Sequence, residues 1–423
     1  MVILYDLIFS VFALVYLPVY LFKGKFHRGF SLRLGFIPKN FTLKSPIWIH
    51  AVSVGEIMAM RGLIEELRRS YPLKNFVIST VTPTGNKIAR SIAKEGDFVT
   101  YLPLDLSFIL HRVIKKINPC IFIIAETEIW PNLITALYKS GIPIAVLNTR
   151  ISDRSFRGYS VVKCLLKPIL NKINIFCAQS ENDCSKLIAL GVSLDKIKVT
   201  GNMKFDQTLT QALDTADYKK RLGLKEGERL FVAGSTHPGE EAVLLNVFRE
   251  LLNKFSNLRL LLAPRHPERA YEVYNLVKNF GFKPQRVSLL SPEMPPNDVV
   301  FILDTVGELV TFYALCDVAF VGGSLVKKGG QNILEPASVE KPVIFGPYMF
   351  NFRDIAQVFL DNQAALQVHT QKELVVSVSE LLSNHSKAIE LVKHAREIIL
   401  NNRGATNKNV ALMREFIELS DGY

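Results

Sequence analysis

Residues 121–132 read IFIIAETEIWPN, an uninterrupted apolar run that ends in two carboxylates and a tryptophan just before a helix-forming segment. From residue 46 onward, similar β-branched runs alternate with amphipathic segments of helix length. This alternation is typical of parallel sheets that are covered by helices on both faces. The sequence therefore predicts an α/β fold.

Two series of strands are expected, one on each side of a polar stretch at residues 206–217. The first series is predicted at residues 47–51, 76–80, 98–101, 121–125, 144–147, 175–178 and 197–199. The second is predicted at residues 230–233, 258–262, 299–303, 318–321 and 343–345. Two such series indicate two doubly wound, Rossmann-like domains that face a central cleft.

The length of 423 residues fits two or three domains. We place the N-terminal Rossmann-like domain at residues 35–210 and the C-terminal one at residues 218–390. A C-terminal helical segment follows at residues 391–423 and could pack back on the N-terminal domain.

The N-terminus is an apolar stretch at residues 2–22, interrupted by Asp6, Ser10 and Pro18, with about the length that a bilayer-crossing helix needs. The flank that follows is rich in Lys and Arg and should face the cytoplasm. A secretory signal peptide would carry its positive charge before the apolar region, and this one does not. We expect residues 1–25 to form a membrane-anchor helix that either spans the bilayer or lies flat in the inner leaflet; the alternative is that it packs on the protein.

The composition excludes several classes of protein. Lys and Arg number 51 against 39 Asp and Glu, and the net charge of +12 suggests nucleic acid, an acidic membrane surface or a phosphorylated substrate as partner. The five cysteines include no C-x-x-C pair, which argues against a disulfide framework and a zinc site and fits a reducing compartment. Neither half carries a G-x-G-x-x-G or Walker-type loop, so nicotinamide, flavin and ATP chemistry are disfavoured.

Polar residues follow the predicted strands, where open parallel sheets bind their ligands. Glu56 lies in the first turn of a helix, where it could act as a general base or only complement the helix dipole. Glu126 and Glu128 end a buried strand, and burying acids is costly unless they are paired, so we expect a function for at least one of them. Lys204 and Arg150 end further strands of this half and could supply positive charge.

In the second half, Arg265 follows a strand and suits a phosphate or carboxylate. Residues 304–308 end the third strand, and residues 329–337 open a helix with two glycines, an amide and an acid. The latter arrangement suits a nucleotide, with backbone N–H groups for the phosphate and a carboxylate for the ribose. No Asp or His cluster has the spacing of metal ligands, so we expect no metal and no cofactor.

Taken together, these motifs resemble those of the 3-deoxy-D-manno-octulosonic acid (Kdo) transferases of lipopolysaccharide synthesis, which are inverting glycosyltransferases of GT-B fold. The matching segments occur in order over essentially the whole chain. They are HAVSVGE (50–56), TPTG (82–85), ETEIWPN (126–132), NTR (148–150), GNMKFD (201–206), PRHPE (264–268), DTVGE (304–308) and GQNILEPA (330–337).

The resemblance implies transfer of Kdo from CMP-Kdo to a lipid A precursor, lipid IVA, at the cytoplasmic face of the inner membrane. It implies that Glu56 is the proton acceptor and that Glu126 and Lys204 stabilise the transition state. The positions implied in binding CMP-Kdo are Pro264, Arg265, Val306, Gly307, Glu308, Asn332, Ile333, Leu334 and Glu335. Anionic lipids and the phosphorylated acceptor would account for the net charge without nucleic acid.

Two alternatives remain open at this point. Another GT-B transferase or an epimerase would use a UDP-sugar, which a panel of nucleotide sugars would reveal. A membrane-tethered, non-enzymatic protein that binds anionic lipid or RNA would show scattered Lys and Arg, without carboxylates at the ends of the strands.

Overall fold

The computed structural model describes residues 5–7, 29–207, 215–290 and 299–419. It divides into two compact units. Unit 1 comprises residues 1–207 together with 402–423, and unit 2 comprises residues 208–401. The described residues of each unit form one parallel sheet of seven strands, which confirms the predicted α/β class with two parallel sheets.

The sheet of unit 1 has the strand order β3-β2-β1-β4-β5-β6-β7. Its strands read as nearly continuous apolar runs because helices cover both faces. Their bounds are β1 Ile47–His50, β2 Phe76–Thr80, β3 Phe98–Tyr101, β4 Ile121–Ala125, β5 Ile144–Thr149, β6 Ile175–Ala178 and β7 Ile197–Val199. The described helices up to this unit's last strand are α1 Phe30–Arg33, α2 Val54–Ser70, α3 Pro83–Ile92, α4 Ser107–Ile117, α5 Pro131–Lys139, α6 Asp153–Val161, α7 Lys163–Leu170 and α8 Glu181–Ala189.

The sheet of unit 2 has the order β10-β11-β9-β8-β12-β13-β14. Its strands are β8 Arg229–Thr236, β9 Leu258–Pro264, β10 Lys283–Arg286, β11 Val299–Ile302, β12 Val318–Val321, β13 Val343–Phe345 and β14 Leu366–Gln367. The described helices are α9 Ala216–Arg221, α10 Glu240–Leu252, α11 Ala270–Asn279, α12 Leu309–Leu315, α13 Leu334–Ser338, α14 Arg353–Asp361, α15 Gln371–Ser383 and α16 His385–Asn402.

All twelve strands predicted from the sequence are present, with bounds that shift by at most three residues. Strands β10 and β14 were not predicted. The first is the polar edge segment KPQR and the second has only two residues, so neither carries an apolar run.

The last helix, α17 at Ala405–Leu419, belongs to unit 1 and packs against α2. Met413 and Ile417 of α17 are fully buried in the same apolar cluster as Met60 and Ile64 of α2. The carboxylate of Asp206 accepts hydrogen bonds at 2.6 Å from the backbone N–H groups of both Gly404 and Thr406, at the start of this helix.

The membrane-anchor helix predicted at residues 1–25 lies outside the described residues, apart from residues 5–7. Across the described ranges, no helix combines the length and the apolar character that crossing a bilayer requires.

Candidate active site

Glu56 lies in the first turn of α2, directly after the carboxyl end of β1. Its Oε2 accepts a hydrogen bond from the backbone N–H of Val52 at 2.6 Å, and its Oε1 accepts one from the Ser53 hydroxyl at 2.9 Å. The pKa of Glu56 is raised, mainly because burial disfavours the charged form, and the negative charge of Glu126 adds to this. A fixed carboxylate with a raised pKa is a stronger proton acceptor than an ordinary glutamate.

The TPTG segment holds the backbone that orients Glu56. The carbonyl oxygen of Val52 accepts hydrogen bonds from the backbone N–H of Val81 at 3.4 Å and from the N–H and hydroxyl of Thr82, both at 3.3 Å. The Thr82 hydroxyl also accepts from the N–H of Gly85 and so caps α3. A Cβ at Gly85 would lie 2.9 Å from that hydroxyl oxygen, so a side chain there would disturb the cap.

Glu126 follows β4 with φ of 59°, in the left-handed region that non-glycine residues rarely adopt. Its Oε1 lies 3.4 Å from Nζ of Lys204. The loop that carries Lys204 is fixed by Asn148, whose Oδ1 accepts from the backbone N–H of Met203 at 3.0 Å. Asn148 also has a positive φ, of 55°. The structure therefore brings the two predicted residues Glu126 and Lys204 together as an ion pair.

Glu128 shares this site, although the sequence did not single it out over Glu126. Its pKa is raised to about 7 by burial first, and then by the negative charges of Glu56 and Glu126. The three carboxylates border a cavity of about 220 Å³, which is lined by Glu56, Glu126, Thr127, Glu128, Arg150, Ser152, Ser155 and Tyr159. Strands β1 and β4 are neighbours in the sheet. From β1 the chain continues to β2 on one side, and from β4 it continues to β5 on the other side. The carboxyl ends of β1 and β4 therefore form a topological switch point.

Ser152, Ser155 and Tyr159 were not identified from the sequence. They lie just before or on α6, which follows β5, so the rule of looking beyond strand ends could have found them. Arg150 was considered as a cation for the site, and the structure places it in the wall of this cavity. Its backbone oxygen accepts a hydrogen bond from the Thr127 hydroxyl at 2.7 Å, which joins the loops after β4 and β5.

In unit 2, Arg265 and Glu335 interact through their charges. Burial raises the pKa of Glu335, while a hydrogen bond from Asn332 and the positive charge of Arg265 act in the opposite direction. The backbone N–H of Arg265 donates to the Thr236 oxygen at 2.9 Å, and its side chain is exposed. Asn332 Oδ1 accepts from the N–H of Leu334 at 3.1 Å, at the start of α13.

The other residues implied in donor binding are placed differently. The side chains of Ile333 and Leu334 are buried, so these residues can offer only backbone groups to a ligand. Val306 is 84% exposed, beside Gly307 with φ of 92°. Glu308 accepts hydrogen bonds from the Tyr218 hydroxyl at 3.0 Å and from the Thr305 hydroxyl, and it lies 3.7 Å from Arg221. Pro264 is the buried last residue of β9.

Glu240, which the sequence did not point to, connects the ends of β8 and β12. Its carboxylate accepts hydrogen bonds from the backbone N–H groups of His237 at 2.9 Å, Gly323 at 2.7 Å, Ser324 at 3.0 Å and Leu325 at 2.9 Å. The strand order of unit 2 reverses between these two strands. Glu240 therefore fixes the backbone at the position where a doubly wound sheet binds its ligand.

No group of three or more His, Cys, Asp or Glu side chains in the described ranges is arranged to hold a metal ion. Among its charged groups, unit 1 brings together three carboxylates and the Glu126–Lys204 pair, and unit 2 brings together Arg265 and Glu335.

The family model of the 3-deoxy-D-manno-octulosonic-acid transferases (kdotransferases) matches residues 28–207. A 3-deoxy-D-manno-octulosonic acid transferase of Haemophilus influenzae is 37% identical over 374 residues, which cover 88% of this chain and 87% of the relative. The chain belongs to this family. It is a glycosyltransferase, and the Kdo transferase resemblance stated from its motifs is confirmed.

A second Kdo transferase, from Chlamydophila psittaci, is 32% identical over 393 residues, which cover 90% of this chain and 88% of the relative. A solved structure, a glycosyltransferase from Rickettsia africae, aligns with a TM-score of 0.57 at 16% identity over 88% of this Kdo transferase family member and 99% of that chain. At this identity the likeness shows the fold alone, and that fold is GT-B-like.

Proposed function

We propose that this Kdo transferase family member moves Kdo from CMP-Kdo onto a lipid A precursor, lipid IVA, in lipopolysaccharide synthesis. The family membership supports the sugar. The observation that carries the mechanism is the Glu56 carboxylate, which Val52 and Ser53 hold at the carboxyl end of β1, beside a cavity with two more carboxylates.

In the proposed reaction, an acceptor hydroxyl attacks the anomeric carbon of Kdo and the bond from that carbon to the CMP phosphate oxygen breaks. The hydroxyl proton passes to Glu56, which is the general base. Attack on the face opposite the leaving group inverts the anomeric configuration.

The CMP phosphate leaves as a stable anion, so cations and backbone N–H groups suffice to hold it. We assign Arg265 and the start of α13 to this task, with Glu335 accepting from a ribose hydroxyl. Lys204 offsets the negative charge of Glu126 at 3.4 Å and supplies a positive charge for an anionic substrate group. CMP-Kdo would also contact Pro264, Val306, Gly307 and Glu308.

We also propose that the protein works at the cytoplasmic face of the inner membrane, associated with anionic lipids through its N-terminal apolar segment and the basic residues after it. The sequence supports this: juxtamembrane Lys and Arg gain about 1 kcal/mol each from an anionic surface. The net charge of +12 favours both this surface and a phosphorylated acceptor.

The test is incubation of the purified protein with CMP-Kdo, generated in situ, and tetraacylated lipid A precursor, with the products resolved by mass spectrometry. Product masses increased by Kdo are expected, and their number counts the sugars transferred. UDP-sugars in parallel reactions should give no product. Absence of product together with absence of CMP binding would contradict the proposal.

A further inference from the structure

A cavity of about 730 Å³ lies in unit 2 at the amino ends of its strands, and the proposed reaction makes no use of it. One wall is formed by Arg229 at the start of β8 and by the residues just before β12 and β13. The opposite wall is formed by α16 and the end of α15. Sites for small molecules usually measure about 300–1,000 Å³, so this cavity has the size of a ligand site.

The cavity is separate from the residues assigned to the CMP-Kdo donor, which lie beyond the carboxyl ends of the same strands. Strand β8 has eight residues, from Arg229 at the cavity to Thr236. The backbone oxygen of Thr236 accepts from the N–H of Arg265. At about 3.3 Å per residue, the strand separates the two places by about 23 Å. A small ligand in the cavity would therefore not contact Arg265.

The charges that line the cavity are mainly positive. They comprise four cations and two carboxylates, namely Arg229, Lys341, Lys393, Arg396, Asp317 and Glu340. Both carboxylates already have partners, since Glu340 lies 3.2 Å from Arg396 and Asp317 accepts from the backbone N–H of Leu230 at 2.7 Å. Burial raises the pKa of the Cys316 thiol to about 12, so this group in the cavity wall adds no charge.

Lys341 and Lys393 supply the positive charge that these carboxylates do not offset. Among the residues that the structure describes, neither ammonium group has a hydrogen-bond or ion-pair partner. Lys341 is half-buried, and with less water around it an ammonium group gains more from a nearby anion. The guanidinium of Arg229 is held in the wall by the Leu382 oxygen and by the ring of Phe255, 5.9 Å away.

The rest of the lining is largely apolar. Pro342, Leu381 and Leu382 are buried, and Val392 on α16 is half-buried. Ile389, one turn before Val392, is 53% exposed, so a ligand that covers it removes apolar surface from water. An apolar surface beside unpaired cations suits a molecule that carries both an anionic and an apolar group.

We propose that this cavity binds an amphiphilic anion. A phosphate or carboxylate group contacts Lys341 and Lys393, and an aliphatic chain covers Ile389 and Val392. Helix α16, which forms one wall, leads along the chain to residue 401, the last of unit 2, so a bound ligand stabilises the helix that connects the units in sequence. The inference goes beyond the proposed Kdo transfer and does not depend on it.

Calorimetry of the purified full-length protein with four soluble probes tests the class of ligand. Hexyl phosphate and hexanoate should bind, and the tighter of the two identifies the preferred anionic group. Inorganic phosphate and hexanol each carry only one of the two features and should bind at least about ten-fold more weakly. Equal affinity for inorganic phosphate and hexyl phosphate would overturn the proposal, as would absence of binding by both amphiphiles.

Substitutions test which residues hold the anion. Lys341→Gln and Lys393→Gln together should weaken hexyl phosphate binding by about 10- to 100-fold, because two hydrogen bonds to a charged group are lost. Lys372→Gln, an exposed cation on α15 outside the cavity, is the matched control and should bind as the parent does. Arg265→Ala should also leave the affinity unchanged. Loss of binding in Arg265→Ala alone would place the anion at the donor residues and refute the proposal.

Hydrogen exchange locates the ligand independently of any substitution. Saturating hexyl phosphate should slow exchange of the amides in residues 381–393 and leave those around Arg265 unchanged. Slowing confined to the surroundings of Arg265 would overturn the proposal. Light scattering should show no self-association through this face. A dimer that Ile389→Ser dissociates would mean that a second copy of the chain covers the cavity, which would also refute the proposal.

Discussion

Glu56 combines two properties that an acceptor of protons needs, a fixed orientation and a raised pKa. Its two oxygens are held by Val52 and Ser53, and the charge of Glu126 makes its ionised form less favourable. Lys204 offsets part of that charge by pairing with Glu126. At the scale of single residues, the site thus combines like charges, which raise the pKa values of Glu56 and Glu128, with one cation that pairs with Glu126.

Glu56→Gln should reduce Kdo transfer by about 10²- to 10⁴-fold, the usual contribution of a general base. The amide keeps an acceptor for the N–H of Val52 but cannot take up the proton. CMP affinity, measured by calorimetry, should stay nearly unchanged because the CMP-binding residues are assigned to unit 2. Loss of CMP binding in this variant would contradict the assignment of Glu56 as the base.

Glu126→Gln should shift the pH dependence of kcat/KM. A base works in its ionised form, so the rate falls as pH drops through the raised pKa of Glu56. Removing the negative charge of Glu126 lowers that pKa, and the acid limb of the profile should therefore move to lower pH. Glu65→Gln, an exposed change on the same helix, is the control and should leave the profile in place. A shift to higher pH in Glu126→Gln would refute the coupling.

At the scale of elements, helix α2 positions Glu56 and is itself supported by the C-terminal helix α17. Their contact buries Met413 and Ile417 against Met60 and Ile64. The start of α17 depends on Asp206, which caps the N–H groups of Gly404 and Thr406. Asp206, the last residue of the GNMKFD motif, thus stabilises α17, and α17 in turn supports α2, the helix that carries Glu56.

Asp206→Ala should lower the stability of unit 1 by about 1–2 kcal/mol, because two helix N–H groups lose their acceptor. For a unit of this size we expect the Tm to fall by roughly 2–8 °C in calorimetry. Asp195→Ala, whose carboxylate accepts from a neighbouring serine on an exposed turn, should leave the Tm almost unchanged. Equal Tm values for the two variants would show that the Asp206 cap contributes nothing.

At the scale of the whole molecule, each unit has its own sheet and its own buried core. Unit 2 is one continuous stretch of chain, whereas unit 1 is completed by residues from both ends. A domain with its own complete hydrophobic core can fold independently.

Residues 208–401 produced alone should therefore fold cooperatively and bind CMP. Arg265→Ala in this fragment should weaken CMP binding by about 10- to 100-fold, since hydrogen bonds to charged groups contribute about 1.5–3 kcal/mol. Lys278→Ala, an exposed cation on α11, is the control and should bind as the parent does. A folded fragment without CMP affinity would refute the assignment of the donor to unit 2, and calorimetry measures both properties.

The sequence by itself determined the two parallel sheets and the family. Strands buried on both faces must be apolar throughout, so a run such as IFIIA in β4 is visible without the structure. The motifs at the strand ends, from Glu56 to Glu335, could be recognised for a related reason. Polar residues directly after a buried apolar strand are placed where an open parallel sheet binds its ligand. The polar edge strand β10 was missed because solvent leaves its residues unconstrained.

Only the tertiary structure decided which of these residues meet. The pairing of Glu126 with Lys204 joins residues 78 positions apart, and the capping of α17 by Asp206 joins residues 198 positions apart. The hydrogen bonds from the TPTG segment to the Glu56 loop, and those that Glu240 accepts from the loops after β8 and β12, also join segments that belong to different strands. Local sequence carries no record of such contacts, because they depend on strand order and on the direction in which each side chain leaves its backbone.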